Sequence, residues 1–248
     1  PVDTVRLLLI SDIHNNPLGL LIAKELVTRF SIDGVLNAGD ITDRGSRPEA
    51  ALFERFGDFG LPHVIAAGNH EDVAMMTRLR GLRGVTVLES NRVDNATIQG
   101  ITILGDSDPN AYTIESNPDN ELAQEQIPLR CEALAARIDA VSPEVILVHD
   151  KRLGECAARE AEARGLTMMF ANGHSHKQAY REHGTVIEVN PGTSGANGFK
   201  SATDLPYGFA MLEFDPTNVR PVSVCLFQFD KPGLLRANYC HIARTTGL

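Results

Sequence analysis

The sequence has no apolar run long enough to cross a bilayer. Its longest runs, such as Leu7-Leu8-Leu9-Ile10, are short beside the roughly 20 residues that a spanning helix needs. No signal-peptide pattern opens the chain. It starts at Pro1 and not at a methionine, which leaves room for an upstream segment. Cysteine is scarce: Cys131, Cys156, Cys225 and Cys240 are the four, with no C-x-x-C pair. Neither a zinc knuckle nor a disulfide framework is indicated, so the expectation is buried thiols in a reducing, cytoplasmic setting. Basic charge is also in deficit. Lys and Arg number 23 against 32 Asp and Glu, a net charge of −9, which argues against a broad basic face for duplex nucleic acid.

What is present is a globular composition of 248 residues, 43% hydrophobic and 22% charged. A chain of that length buries a full core without disulfides and is expected to form a single α/β domain over residues 1–248. Short runs rich in Val, Ile and Leu recur at Val5 to Ser11, Gly34 to Ala38, His63 to Ala67, Val145 to Val148 and Leu166 to Ala171. They predict strands buried on both faces. Helical spacing lies between several of them: Leu18, Leu21, Ile22, Leu26 and Phe30 after Pro17, then Ala50, Phe53, Phe56 and Phe59, then Leu122, Ile127, Leu134 and Ile138. Alternation of this kind predicts an α/β fold with parallel pairing. Consecutive strands from 178 to 229 are expected to build a second sheet packed on the first. Gly105 to Asn120 is polar and predicts a long loop, and the tail from 230 to 248 is left unassigned.

Chemistry sits where the strands end. The five runs lead into Asp12-Ile13-His14, Gly39-Asp40-Ile41-Thr42-Asp43-Arg44-Gly45, Gly68-Asn69-His70-Glu71, His149-Asp150 and Gly173-His174-Ser175-His176. The carboxyl edge of a parallel sheet is where ligands bind. In extended backbone, residues i and i+2 point to one side, so Asp12 and His14 are expected to reach one metal together. Gly39 and Gly68 allow the sharp turns that aim Asp40 and Asn69 inward. Asp12, His14, Asp40, Asn69, His149, His174 and His176 are seven donors, too many for one ion. With one carboxylate shared they make two four-coordinate sites. Mixed imidazole and oxygen donors suit Mn, Fe, Co, Ni or Zn better than Mg or Ca alone. His63, His183 and His241 fall outside these elements.

This ordered set resembles the calcineurin-like metallophosphoesterase superfamily, whose pattern is D-x-H, G-D-x-x-D, G-N-H-[ED], a later H and G-H-x-H. The match runs from Asp12 to His176 and fills every motif position. The resemblance implies a four-layer α-β-β-α sandwich of two packed mixed β-sheets. It implies two divalent ions, Mn first among them. Asp12, His14 and His176 would bind one ion and Asn69, His149 and His174 the other, with Asp40 bridging. A hydroxide shared by the metals would attack phosphorus, and His70 would contact the phosphoryl group or protonate the leaving group. Asp43 would orient and charge His70, and Asn69 and Arg44 would meet substrate. An exposed salt bridge accounts for Arg44 equally well.

The sequence is similar to protein serine/threonine phosphatases at G-D-x-x-D-R-G and G-N-H-E. It carries Ala67 where those have an arginine, and it has the G-H-x-H that they lack. Asn190-Pro191-Gly192-Thr193 resembles a turn of small bacterial phosphodiesterases. The expected activity is therefore hydrolysis of small phosphodiesters or monoesters. A non-catalytic metal-binding scaffold and a nuclease are the alternatives; a nuclease needs a basic track that a net charge of −9 does not suggest. Tyr112, Phe199 and Tyr207 are expected to cover the core rather than stack on a base.

Overall fold

A computed structural model describes residues 4–113, 121–196, 198, 205–231 and 233–243. The strands are β1 (Val5–Ile10), β2 (Gly34–Asn37), β3 (His63–Ile65), β4 (Val85–Val87), β5 (Asn95–Ile98), β6 (Ile101–Asp106), β7 (Val145–Val148), β8 (Met168–Ala171), β9 (Ala179–His183), β10 (Val186–Asn190), β11 (Tyr207–Phe214), β12 (Pro221–Lys231) and β13 (Leu234–Ile242). The helices are α1 (Pro17–Arg29), α2 (Arg47–Phe56), α3 (Val73–Gly81), α4 (Glu121–Ala135), α5 (Ile138–Val141) and α6 (Lys151–Ala163). One sheet has the order β13-β12-β11-β1-β2-β3-β4 and the other β5-β6-β7-β8-β10-β9. Both are mixed: β1 to β4 pair in parallel, whereas β1, β11, β12 and β13 pair antiparallel. In the other sheet β6, β7, β8 and β10 run parallel between antiparallel edges.

The alternation of side chains in β1 makes the layers. Leu7 and Leu9 face the second sheet, meeting Ile103, Leu147 and Met169. Leu8 and Ile10 face the other way, into a core closed by Leu20, Phe53 and Met76 of α1, α2 and α3. On the far side, Ile146, Val148 and Phe170 pack under Ile127 and Leu134 of α4 and Leu153 and Ala157 of α6. The order is helix, sheet, sheet, helix, as the resemblance implied. Sheets of parallel strands covered on both faces read as unbroken apolar runs, which is why β1, β2, β7 and β8 stand out in the sequence.

Several expectations change. The C-terminal strands do not form the second sheet together: β9 and β10 join it, but β11 and β12 extend the first sheet beside β1. The tail adds β13 at that sheet's edge. Leu18 and Leu21 are 40% and 44% exposed. The buried face of α1 is instead made by Leu20, Ile22, Ala23 and Leu26. Gly105 to Asn120 opens as strand, since β6 runs to Asp106, and continues into a buried 3-10 turn at Pro109–Tyr112. The rest of that segment, from 114, lies outside the described residues, as do Phe199 and the side chain of Leu122. Tyr207 is buried and Tyr112 packs against the same core.

The cysteines are not free thiols. Cys131 pairs with Cys156 and Cys225 with Cys240. The first pair joins α4 to α6, which lie side by side, and the second joins residues that the β12/β13 register sets opposite each other. Neither neighbourhood is visible in sequence spacing. Among the described residues, no helix is long and apolar enough to cross a membrane.

His63, at the start of β3, is buried between Phe53 and Phe59, and neither ring nitrogen has a hydrogen-bond partner. Burial drives its pKa down to about 3, with Asp58 pulling weakly the other way. Below its ordinary value of 6.5 the unfolded chain therefore takes up a proton that the folded chain refuses. The His63 contribution to stability is expected to be complete above pH 6.5 and to fall as pH drops from there toward 3. Urea unfolding midpoints measured across that range should decline less steeply in His63→Phe than in the wild type; equal slopes would contradict the assignment.

Candidate metal centre

The site forms where the loops after β1, β2, β3, β7 and β8 meet. The β1 loop is zipped onto the β2 loop by backbone bonds: Asp12 N donates to Gly39 O at 2.9 Å, and Ile13 N and His14 N both donate to Asp40 O. Asp12 and His14 converge, but not through extended backbone. Their φ values are 53° and 45°, in the left-handed region, and β1 has already ended at Ile10. Asp40, His174 and His176 share that conformation. Left-handed backbone costs a non-glycine residue about 1–3 kcal/mol and gathers at functional sites.

Two glycines are required by geometry. Gly39 has φ +89°, and a Cβ there would stand 2.4 Å from Gly68 N. At Gly68 a Cβ would lie 2.1 Å from Asp40 Oδ1, so the backbone passes against the carboxylate it helps to aim.

Each donor is held by one atom and offers another. Asp12 Oδ2 accepts from Ser11 Oγ at 2.6 Å and from His174 N at 3.1 Å. Its Oδ1 is buried and accepts no hydrogen bond, although His176 Nε2 lies 3.1 Å away. Asp40 Oδ1 accepts from His70 N, while Oδ2 stands 3.2 Å from His149 Nε2 and 3.7 Å from His14 Nε2. His14 Nδ1 lies 3.2 Å from Asp43 Oδ1, leaving Nε2 at 3.2 Å from His176 Nε2.

His149 is the most constrained. It is wholly buried, and its Nδ1 is 2.6 Å from Ala38 O. A carbonyl only accepts, so Nδ1 carries the proton and, in the neutral ring, Nε2 is a lone pair. That lone pair faces Asn69 Oδ1 at 3.0 Å, His174 Nδ1 at 3.1 Å and Asp40 Oδ2 at 3.2 Å. Such a convergence calls for a proton or a cation at its centre. Without a cation, burial works to lower the His149 pKa, but the Asp40 carboxylate outweighs it and raises it well above 6.5. Burial likewise works to raise Asp40, and the His149 charge and hydrogen bond pull it below the usual carboxylate range. Ligand atoms of Asp12, His14, Asp40 and His176 lie within 4.8 Å of one another, as do those of Asp40, His149 and His174. The orphaned Asp12 Oδ1 and the groups converging on His149 Nε2 both fit divalent cations.

His70 is partly exposed; its Nδ1 lies 2.7 Å from the Asp43 carbonyl and its Nε2 4.0 Å from Asp40 Oδ2. Asp43 meets His70 through its backbone carbonyl, and its carboxylate lies against His14. Arg44 is exposed and makes no ion pair among the described residues. Asn69 is buried, with its amide oxygen beside His149 and its carbonyl accepting from Asn110.

Glu71 stands in a motif, yet sequence reasoning gives it no task. It is fully buried. Its carboxylate accepts from Gly68 N at 2.7 Å, Thr42 N at 3.0 Å and Asp40 N at 3.1 Å, and lies 3.2 Å from Thr42 Oγ1. It clamps the β2 and β3 loops together. Burial, with Asp40 nearby, raises its pKa. A buried glutamate among backbone donors leaves no periodic signal, and only its place next to Gly-Asn-His could have hinted at it.

A dinuclear-type donor cage at the carboxyl edge of two packed sheets defines the class. A family model for the calcineurin-like phosphoesterase superfamily domain matches residues 5–216. The chain belongs to that superfamily. No curated protein matches the sequence. Among solved structures, a dimetal phosphatase from Danio rerio is 10% identical with a TM-score of 0.60, covering 98% of this chain and 99% of that one. TT1561 of Thermus thermophilus is 12% identical with a TM-score of 0.59, covering 98% and 100%. GAP50, the anchor in the inner membrane complex of Plasmodium, is 10% identical with a TM-score of 0.59, covering 97% and 89%. At such identities the likeness speaks to the fold alone.

Removing the Glu71 clamp tests how the loops are held. Glu71→Ala strands three buried backbone N–H groups and is expected to lower the stability of the metal-free protein by about 3 kcal/mol or more. Arg44→Ala should change it by less than about 0.5 kcal/mol. Urea unfolding of both variants gives the comparison.

Proposed function

We propose that this protein, as one domain, is a metal-dependent phosphoesterase acting on small phosphodiesters or monoesters. The observation that carries the proposal is the His149 Nε2 lone pair enclosed by Asn69, His174 and Asp40 acceptors. Asp12, His14 and His176 would hold one divalent ion, Asn69, His149 and His174 the other, and Asp40 both. Mn is the first candidate, with Fe, Zn, Co and Ni compatible with the donors. When bound, such a pair neutralises an anionic ester and activates the attacking water.

The chain's own groups do the rest. Asp43 and the Ala38 carbonyl fix the faces of His14 and His149, a support that raises ligand basicity. The Asp43 carbonyl keeps His70 Nδ1–H in place, so a protonated ring presents its Nε2–H to a phosphoryl or leaving oxygen. Arg44, exposed beside these loops, is free to meet the ester. The scaffold alternative expects lost ligands, and every motif position is filled. The two disulfides argue against a cytoplasmic setting.

Bis(p-nitrophenyl) phosphate and p-nitrophenyl phosphate with added Mn test the proposal. Hydrolysis should vanish on chelation. Asp40→Asn should lose both bound metal and turnover. His70→Ala should keep its metal but lose about 10²–10⁴-fold in kcat. Metal-loaded protein that cleaves no phosphoester would refute the activity.

A further inference from the structure

Beside the candidate metal centre lies a cavity of about 340 Å³. His174 forms part of its wall, together with Asn172 and four cationic side chains, Lys151, Arg152, Lys177 and Arg181. In a chain of net charge −9, this is a local reversal of sign. Asp150 and Glu188 also line it, and both are engaged. Asp150 accepts from the Arg152 backbone at 2.9 Å and from its guanidinium at 2.8 Å. Glu188 accepts from Arg181 at 3.0 Å, with His183 Nε2 at 3.2 Å. These carboxylates hold two guanidiniums in position more than they cancel the cavity. Lys151 leans on Glu155 at 3.5 Å. Lys177, next to His176 and exposed, has no ion pair among the described residues.

Asn172, also in the wall, carries a polar group without a partner. It is only 2% exposed. Gly192 N donates to Asn190 Oδ1, which fixes that amide's orientation, and Asn190 Nδ2 then donates to Asn172 Oδ1 at 2.8 Å. The remaining Nδ2 of Asn172 is therefore a donor, and it is buried with no hydrogen-bond partner. Buried donors are almost always satisfied. Around the cavity, four cationic side chains stand against two carboxylates that are already paired, a surplus of positive charge that complements an oxyanion.

We propose that this cavity is a subsite for a second phosphate on the substrate, held while the metal centre hydrolyses a phosphoester elsewhere on the same molecule. The substrate class is a small bisphosphate, such as a nucleoside or sugar carrying two phosphate groups. Water adds across the P–O bond of the ester at the metal centre, and the second phosphate is bound without being changed. The inference deepens the phosphoesterase proposal and rests on it.

The test compares the full metal-loaded chain on a nucleoside 5′-monophosphate and its 3′,5′-bisphosphate, with the aryl phosphates as esters lacking any second phosphate. The bisphosphate is expected to bind with a KM about ten-fold lower or better. It should also raise Tm more than the monophosphate does, a readout independent of turnover. Lys177→Ala combined with Arg181→Ala, both exposed positions, should erase both differences, whereas Lys177→Arg should keep them. Equal KM and equal Tm shifts in the wild type would overturn the subsite, as would a preference surviving the double variant, while aryl phosphate turnover leaves the phosphoesterase activity standing. Failure to cleave any ester, aryl phosphates included, overturns both.

Discussion

The site depends on one crowded carboxylate. Asp40 Oδ1 is occupied by the His70 backbone, and Oδ2 is left between His14 and His149. Around it stand buried acceptors that repel one another unless positive charge lies among them. The protein holds this arrangement by force from outside: left-handed backbone at five donor residues, a glutamate clamping two loops, and a carboxylate and a carbonyl on the far sides of the His14 and His149 rings. Strain of this sort persists only where the surrounding structure over-determines it. The two stacked sheets provide that, since Leu7, Leu9, Leu36 and Leu147 are all fully buried between them just below the loops.

Much of this was legible in the sequence, and for definite reasons. β1, β2, β7 and β8 are buried on both faces, so each is a short apolar run that ends at a polar motif. The donor residues are the ones that follow those runs, and all seven come together. What was hidden is what depends on long-range placement. Membership of β11 and β12 in the first sheet is set by pairing with β1, some two hundred residues away in the chain. α6 buries Leu153, Gly154, Ala157 and Ala161, too small a set of apolar side chains to mark a helix. β13 is largely exposed and has no apolar face to read. Both disulfides join residues that only packing or strand register makes neighbours.

The local geometry was hidden for a different reason. Extended alternation and a left-handed turn can both bring residues i and i+2 to one place, and sequence spacing does not separate them. Likewise sequence spacing does not show that the Asp43 backbone carbonyl meets His70 while its carboxylate lies against His14. The same loops give the centre an uneven electrostatic surround. The cage itself is acidic, while the wall beyond His174 is rich in donors. An anionic molecule therefore meets positive charge beside the cage even though the protein as a whole is acidic.

The central claim is that Asp40 sits between two cations. Anomalous diffraction from crystals of the protein grown with Mn is the most direct measurement. The account predicts two anomalous peaks on opposite sides of the Asp40 carboxylate, one against Asp12, His14 and His176 and one against Asn69, His149 and His174. A cage with no peak in it, or peaks only at other residues, would contradict it.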